Sequence, residues 1–171
     1  YKRQVMGAVI QECSTIILVE PMESRRQLAL SLGATHVIDP AASDTQLSIG
    51  EICEMGVNYG FDTTGIAKVI EGAIAALAPR GELGLVGTSS QDSPLPTFNP
   101  SMLLTGQKIR GICEGEVDPQ QFIPLLLDHY ENGSFPFDRL ITTYPFDQIN
   151  EAIEAQHCLL YTSDAADEED S

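Results

Sequence analysis

The chain has 171 residues, of which 43% are hydrophobic and 20% charged, a balance typical of a globular protein with a substantial core. Its formal net charge of −16 argues against a nucleic-acid partner, because phosphate binding needs a basic stripe. No apolar run reaches the ~18 residues that a membrane-spanning helix needs, so we expect no membrane partner.

The cysteines predict a reducing compartment. Cys13, Cys53, Cys113 and Cys158 form no Cys-x-x-Cys pair, and no histidine stands at ligand spacing from any of them. This pattern is typical of unpaired thiols in the cytoplasm, and it predicts no metal site in this chain.

Predicted helices and strands alternate along the chain. Apolar or β-branched runs predict strands at residues 15–20, 35–39, 58–62, 82–87, 108–113 and 140–144. Apolar residues at helical spacing predict helices at 6–12, 24–32, 46–55, 66–77, 102–105 and 119–131, and a last helix opens at 146. Residues 79–81 predict a turn. The alternation predicts an α/β fold, a doubly wound parallel sheet of the Rossmann type.

An acidic residue ends the first predicted strand. Glu20 closes an apolar run, and Arg25 follows at the start of the next helix. A carboxylate at the end of the second strand of a nucleotide-binding sheet suits the two ribose hydroxyls of an adenine nucleotide and repels a 2′-phosphate. The Gly-rich turn that precedes such an acid by about twenty residues would fall at or before residue 1. We therefore expect an NAD-type domain that lacks its first strand.

Two further acids, Asp39 and Asp62, also end predicted strands. Short carboxylates at such positions commonly accept hydrogen bonds from the backbone of the following turn. We expect both to be turn residues rather than catalytic acids.

Six short strings follow one another along the chain: residues 14–17 (STII), 32–38 (LGATHVI), 61–65 (FDTTG), 76–81 (ALAPRG), 135–140 (FPFDRL) and 144–152 (YPFDQINEA). In their order and spacing they resemble the zinc-dependent medium-chain alcohol dehydrogenases, and among these the aryl-alcohol (benzyl-alcohol) type. The resemblance covers residues 5–157. It implies the cofactor-binding half of an oxidoreductase that transfers hydride between an aryl or related primary alcohol and NAD.

The resemblance also implies individual coenzyme contacts. Glu20 matches the acid that binds the adenosine ribose diol, and Arg25 matches the basic residue beside that ribose. The other implied contacts lie toward the nicotinamide: Thr63, Gly87, Thr88, and the backbone groups of Ile112 and Glu114.

The parent family carries a catalytic zinc, whose cysteine and histidine ligands are not in this chain. The resemblance thus implies no catalytic residue and no metal ligand here, and the chain alone is expected to be inactive. For the parent it implies an alcohol or aldehyde substrate and a homo-oligomer. Three other interpretations stay open: a zinc-free quinone or enoyl reductase, an S-adenosylmethionine methyltransferase, which also has an acid at this strand end, and a non-catalytic interaction domain.

The two ends differ from the rest of the chain. Residues 1–4 and 158–171 resemble translated adapters from sequencing libraries, so we expect both to be artefacts, the second disordered. Between them we expect a partial NAD-binding domain at 5–135, and at 136–157 the start of the segment that returns to the catalytic domain.

Overall fold

The computed structural model describes residues 2–88, 94, 96, 97 and 99–157. Its α-helices are α1 (Lys2–Ile10), α2 (Glu23–Ser31), α3 (Thr45–Ile52), α4 (Ala67–Ala75), α5 (Pro119–Glu131) and α6 (Ile149–His157). Its strands are β1 (Ile17–Val19), β2 (His36–Ile38), β3 (Val57–Asp62), β4 (Leu77–Leu85) and β5 (Lys108–Gly111). Short 3-10 helices cover Pro100–Thr105, Glu114–Glu116, Phe137–Leu140 and Phe146–Gln148.

All strand pairs in the described residues are parallel. Strand β1 pairs with β2, and β3, β4 and β5 form a second sheet in that order. Helix α2 connects β1 to β2 and α4 connects β3 to β4, in keeping with the long crossovers that parallel pairing needs. The predicted parallel α/β fold is therefore confirmed. Within the described residues β1 and β3 do not pair with each other.

Each sheet has its own apolar core. The core at β1 and β2 packs both strands and α2 against α1, and its buried members are Val5, Met6, Ile16, Leu18, Ala29, Leu32 and Ala34. The core at β3, β4 and β5 packs α4 on the sheet, and its buried members are Ile70, Ile74, Leu77 and Leu83. Burying apolar surface stabilises such cores by roughly 25 cal/mol per Å².

The ends of the helices follow local chemistry. Asp44 precedes α3 and its carboxylate accepts a hydrogen bond from the Leu47 N–H at 3.0 Å. Asp118 precedes α5 and accepts from the Gln120 N–H at 3.0 Å, with a proline at the first helical position. Both arrangements satisfy N–H groups that a helix leaves unpaired at its start.

Two predicted elements were wrong. The run at 140–144 is not a strand: Phe137–Leu140 is a 3-10 helix, and residues 141–145 have no regular structure. Its β-branched residues favour extended backbone, but a strand also needs a partner, and no described strand pairs with this run. Ile141 is accordingly 57% exposed.

The predicted turn at 79–81 lies inside a strand. Strand β4 begins at Leu77, and Arg80 has a φ of 65° within it. The register against β3 shifts at the same place, as at a β-bulge. The side-chain amide of Gln107 donates to the Leu77 carbonyl at 2.7 Å and so supports this irregular segment.

Candidate functional site

The carboxyl ends of β3, β4 and β5 lie level with one another. Asp62, Leu85 and Gly111 stand in register across the three strands. Beyond them, the Gly87 N–H donates to the Asp62 carbonyl at 3.1 Å, and the Ile112 N–H donates to the Leu85 carbonyl at 2.9 Å. The predicted site residues of this sheet therefore meet at one edge, the edge at which parallel α/β sheets bind ligands.

Glu20 lies at the corresponding edge of the other sheet. It is 7% exposed, and its Oε1 accepts a hydrogen bond from the Met22 N–H at 2.9 Å. Its Oε2 is 3.6 Å from Nη1 of Arg25, so the predicted pair is brought together. The Glu20 N–H donates to the Ile38 carbonyl at 3.1 Å and extends the β1–β2 pairing by one residue. Glu20 is thus a buried acid whose carboxylate is oriented by the Met22 N–H and by Arg25.

Arg26 is a residue of this site that the sequence analysis missed. Arg26 follows Arg25 on α2, and it is only 9% exposed. Its Nη1 donates to the carbonyls of Glu20 and Pro21 at 2.7 Å each. Its Nη2 pairs with Glu23, and it lies 3.1 Å from Oδ2 of Asp39. The helical spacing between Glu23 and Arg26 was the one signal in the sequence that could have found it.

Asp39 and Asp62 both act in turns, as predicted. Asp62 is 2% exposed; its Oδ2 accepts from the Gly65 N–H at 2.8 Å, and its Oδ1 accepts from the Thr64 hydroxyl at 2.7 Å. Asp39 accepts from the Ala41 N–H at 2.9 Å through Oδ1. The two acids differ in their second partner, because Asp39 also pairs with a guanidinium.

Gly87 lies against the turn that follows β3. A Cβ placed on it would stand 2.5 Å from the Gly65 nitrogen and 2.5 Å from the Thr63 carbonyl carbon. Real Cβ atoms do not approach backbone so closely, so only glycine fits without movement of the turn. The close packing of this turn requires Gly87 whether or not a coenzyme binds there.

The other predicted contacts lie around the same edge. Thr63 is half-buried and Thr88 is exposed. The side chain of Ile112 covers Gly84, since a Cβ on that glycine would stand 2.6 Å from the Ile112 Cδ1. Glu114 begins the short 3-10 helix after β5. The backbone of these segments therefore stands where the strands end.

Charged groups near β1 influence one another. Burial lowers the pKa of Lys2, and the guanidinium of Arg25 lowers it further. Hydrogen bonds from the side chain of Gln27 and then from Arg26 lower the pKa of Glu23. Charged groups at the start of α1 and at the start of α2 therefore interact with each other, and Arg25 also pairs with Glu20 at the end of β1.

The described part of the chain offers no metal site. Within it, no group of three or more His, Cys, Asp or Glu side chains could hold a metal ion. The helices of the described ranges also include none that is long and apolar enough to cross a membrane.

Comparisons with known proteins agree on one family. A family model described as zinc-binding dehydrogenase matches residues 4–131. Geraniol dehydrogenase of Castellaniella defragrans is 44% identical over 152 residues, 88% of this chain and 41% of that protein. The chain spans about two fifths of the length of the first curated relatives that it matches.

Two solved structures share the fold. An alcohol dehydrogenase zinc-binding domain protein from Burkholderia ambifaria has a TM-score of 0.88 at 41% identity, covering 94% of this chain and 43% of that one. Benzyl alcohol dehydrogenase from Acinetobacter calcoaceticus has a TM-score of 0.87 at 36% identity, covering 92% of this chain and 43% of that one.

Proposed function

Because the chain belongs to the zinc-binding dehydrogenase family, we propose that it is the coenzyme-binding part of an NAD-dependent alcohol dehydrogenase. The family match carries this proposal, and the six sequence strings had pointed to the same family. The relatives named geraniol dehydrogenase and benzyl alcohol dehydrogenase support an aryl or related primary alcohol, with its aldehyde, as the substrate pair. The proposed setting is the cytoplasm, and the proposed assembly is a homo-oligomer.

The position of Glu20 supports NAD as the coenzyme. A carboxylate only accepts hydrogen bonds and has about four acceptor sites, so the Met22 N–H leaves acceptors for a ribose diol. The same negative charge opposes a 2′-phosphate. In this proposal Glu20 accepts from the adenosine ribose hydroxyls and Arg25 flanks them.

The carboxyl end of the three-stranded sheet is the proposed site of the nicotinamide half of the coenzyme. The proposed contacts are Thr63, Gly87, Thr88 and the backbone groups of Ile112 and Glu114. When bound, the nicotinamide supplies the acceptor for the hydride that leaves the alcohol. The role of these residues is to orient the ring through hydrogen bonds and close backbone approach.

The described residues do not fit a catalytic zinc, since they contain no cluster of its usual ligands. The described part of the chain therefore supplies no ligands for a zinc-dependent step. We expect the 171-residue chain to show no oxidation of benzyl alcohol with NAD, with or without added zinc. Zinc-dependent turnover by the purified chain would contradict this expectation.

Coenzyme preference tests the proposal directly in the complete gene product. We expect kcat/KM with NAD to exceed that with NADP, and Glu20→Ser to narrow the difference. Glu51→Gln, which alters an exposed glutamate of α3, is the matched control and should leave the preference unchanged. Equal or better use of NADP by the unaltered protein would overturn the assignment. Reduction of quinones without zinc would instead indicate the zinc-free class of reductase.

A further inference from the structure

Arg26 is not one of the proposed coenzyme contacts, yet it is a buried charged residue with several partners. Its guanidinium reaches four oxygen atoms on three segments: the carbonyls of Glu20 and Pro21, and the carboxylates of Glu23 and Asp39. Its side chain is 10% exposed. Charged groups are rarely buried to this extent unless they are paired, so these contacts account for its burial.

The two carbonyls lie where the chain leaves β1. Pro21 has no N–H to donate, and its ring restricts its own φ. One nitrogen of Arg26 donates to both carbonyls at 2.7 Å, which ties this turn to α2. The Glu20 carboxylate belongs to the same turn, because its Oε1 accepts from the Met22 N–H. The direction of the carboxylate therefore depends on a turn that Arg26 holds.

The two carboxylates explain why Arg26 faces the protein. Asp39 ends β2, and its Oδ2 is 3.1 Å from Nη2 of Arg26. Glu23 pairs with the same nitrogen from the first turn of α2. Arg25, by contrast, directs its Nη1 toward the Glu20 carboxylate itself. Arg25 therefore contacts the Glu20 carboxylate, whereas the adjacent Arg26 contacts the backbone carbonyls of Glu20 and Pro21.

We propose that Arg26 is a positioning residue that orients the Glu20 carboxylate toward the adenosine ribose by fixing the turn at Glu20 and Pro21. The proposal rests on the proposed function, because it concerns the same ribose contact. A planar fork with several N–H groups suits this task, and a lysine ammonium does not replace it at such a site.

The test measures ribose discrimination by the 171-residue chain. Adenosine 5′-monophosphate and its 2′-deoxy analogue differ only in the 2′-hydroxyl that Glu20 would bind. Their dissociation constants, obtained by NMR titration, give a ratio that reports this contact. We expect the unaltered chain to bind the ribonucleotide roughly tenfold more tightly, as a charged hydrogen bond allows. Glu20→Gln should reduce the ratio to about two.

Arg26→Lys should reduce the ratio to nearly the value of Glu20→Gln, mainly through weaker binding of the ribonucleotide. The double variant, Glu20→Gln with Arg26→Lys, should have nearly the same ratio as Glu20→Gln alone. Arg26→Met should act in the same direction, and Arg26→Lys preserves the charge in case Arg26→Met does not fold. Arg110→Met is the matched control, since it removes an arginine that pairs with Glu82 and Glu116 in the other sheet. It should leave the ratio unchanged.

The outcomes separate this inference from the proposed function. A wild-type ratio near one would refute the ribose contact of Glu20 and with it the role of Arg26, whereas the proposed function is tested separately by the coenzyme preference of the complete gene product. A high wild-type ratio that survives in Arg26→Lys would overturn the role of Arg26 and leave the proposed function standing. Equal weakening of both nucleotides in the Arg26 variants would show a general structural role and would also overturn the inference.

Discussion

The two sheets stabilise their carboxyl ends in different ways. At the end of β1 and β2, charged side chains make the contacts, with Arg26 joining Glu23 and Asp39. At the end of β3 and β4, a buried carboxylate accepts backbone N–H groups and a glycine allows two backbone segments to touch. The first end should therefore respond to charge, pH and salt, whereas the second should respond to lost hydrogen bonds and added volume.

This difference agrees with the two parts of the proposed coenzyme. A ribose diol is recognised by an oriented charge, which a network of ion pairs can hold. A nicotinamide ring needs close approach of backbone, for which small residues and tight turns are suited. Substitutions at Asp62, Gly87, Asp39 and Glu23, each with a comparison variant, test the contrast between the two ends.

Asp62→Ala should have the largest effect. It removes a 2%-exposed carboxylate and leaves the Gly65 N–H and the Thr64 hydroxyl without their acceptor. We expect the free energy of unfolding to fall by about 3 kcal/mol, measured by denaturant titration. Asp118→Ala removes an exposed helix cap as a control and should cost about 1 kcal/mol. Equal losses would contradict a special role for the turn after β3.

Gly87→Ala tests the effect of volume at the same end. The new methyl group would stand 2.5 Å from backbone atoms of the turn after β3, so the turn must move. We expect a loss of about 2 kcal/mol in unfolding free energy. Gly111→Ala is the control, because its Cβ would meet nothing within 4 Å, and it should stay within about 0.5 kcal/mol of the unaltered chain. A tolerated Gly87→Ala would show that the turn has room to move.

Asp39→Asn tests the effect of charge at the other end. It keeps an oxygen for the Ala41 N–H but loses the ion pair with Arg26. We expect a loss of about 1 kcal/mol that shrinks at high salt, because the pair is only partly buried. The Asp62→Ala loss should persist at high salt.

Glu82→Gln is the control for Asp39→Asn. It affects pairs at 3.8 and 3.9 Å with exposed Arg110 and Lys108, and it should cost less than about 0.5 kcal/mol. If Asp39→Asn has an effect no larger than this, or one that does not depend on salt, the contrast between the two ends is not electrostatic.

Glu23→Gln should have the smallest effect and should show it only through pH. The pKa of Glu23 is lowered below its ordinary value of 4.5, first by Gln27 and then by Arg26. A lowered pKa in the folded state means that the stabilisation is fully present above pH 4.5 and is lost as the pH falls through the lower value. Thermal unfolding from pH 6 downward should therefore show a weaker acid dependence in Glu23→Gln.

Gln27→Ala should reduce this acid dependence in part, because it removes the first cause of the lowered pKa and keeps the carboxylate. If the acid dependence of unfolding is unchanged in both variants, the lowered pKa of Glu23 does not contribute to stability.

The sequence alone predicted most of the helices and strands in their order along the chain, and it predicted the position of Glu20 at the end of a strand. Helix α5 begins at Pro119 and ends at Glu131, as the pattern predicted, because caps and apolar spacing are local signals. Glu20 follows β1 for a similar reason, since a buried apolar run ends where a charge begins. The family was likewise recognisable from short strings in a fixed order. The coenzyme contacts at the seven proposed residues stay predictions.

Tertiary structure decided the features that join distant parts of the chain. The run at 140–144 has the composition of a strand, yet pairing depends on a neighbour that composition does not specify. Gly87 resembled a strand-end glycine, and its real constraint is the turn after β3 that touches it. Arg26 carries no clear signal in the sequence, and only the fold brings Asp39 and the carbonyl of Pro21 to its guanidinium. In each case the deciding atoms belong to other segments, and only folding brings them within contact distance.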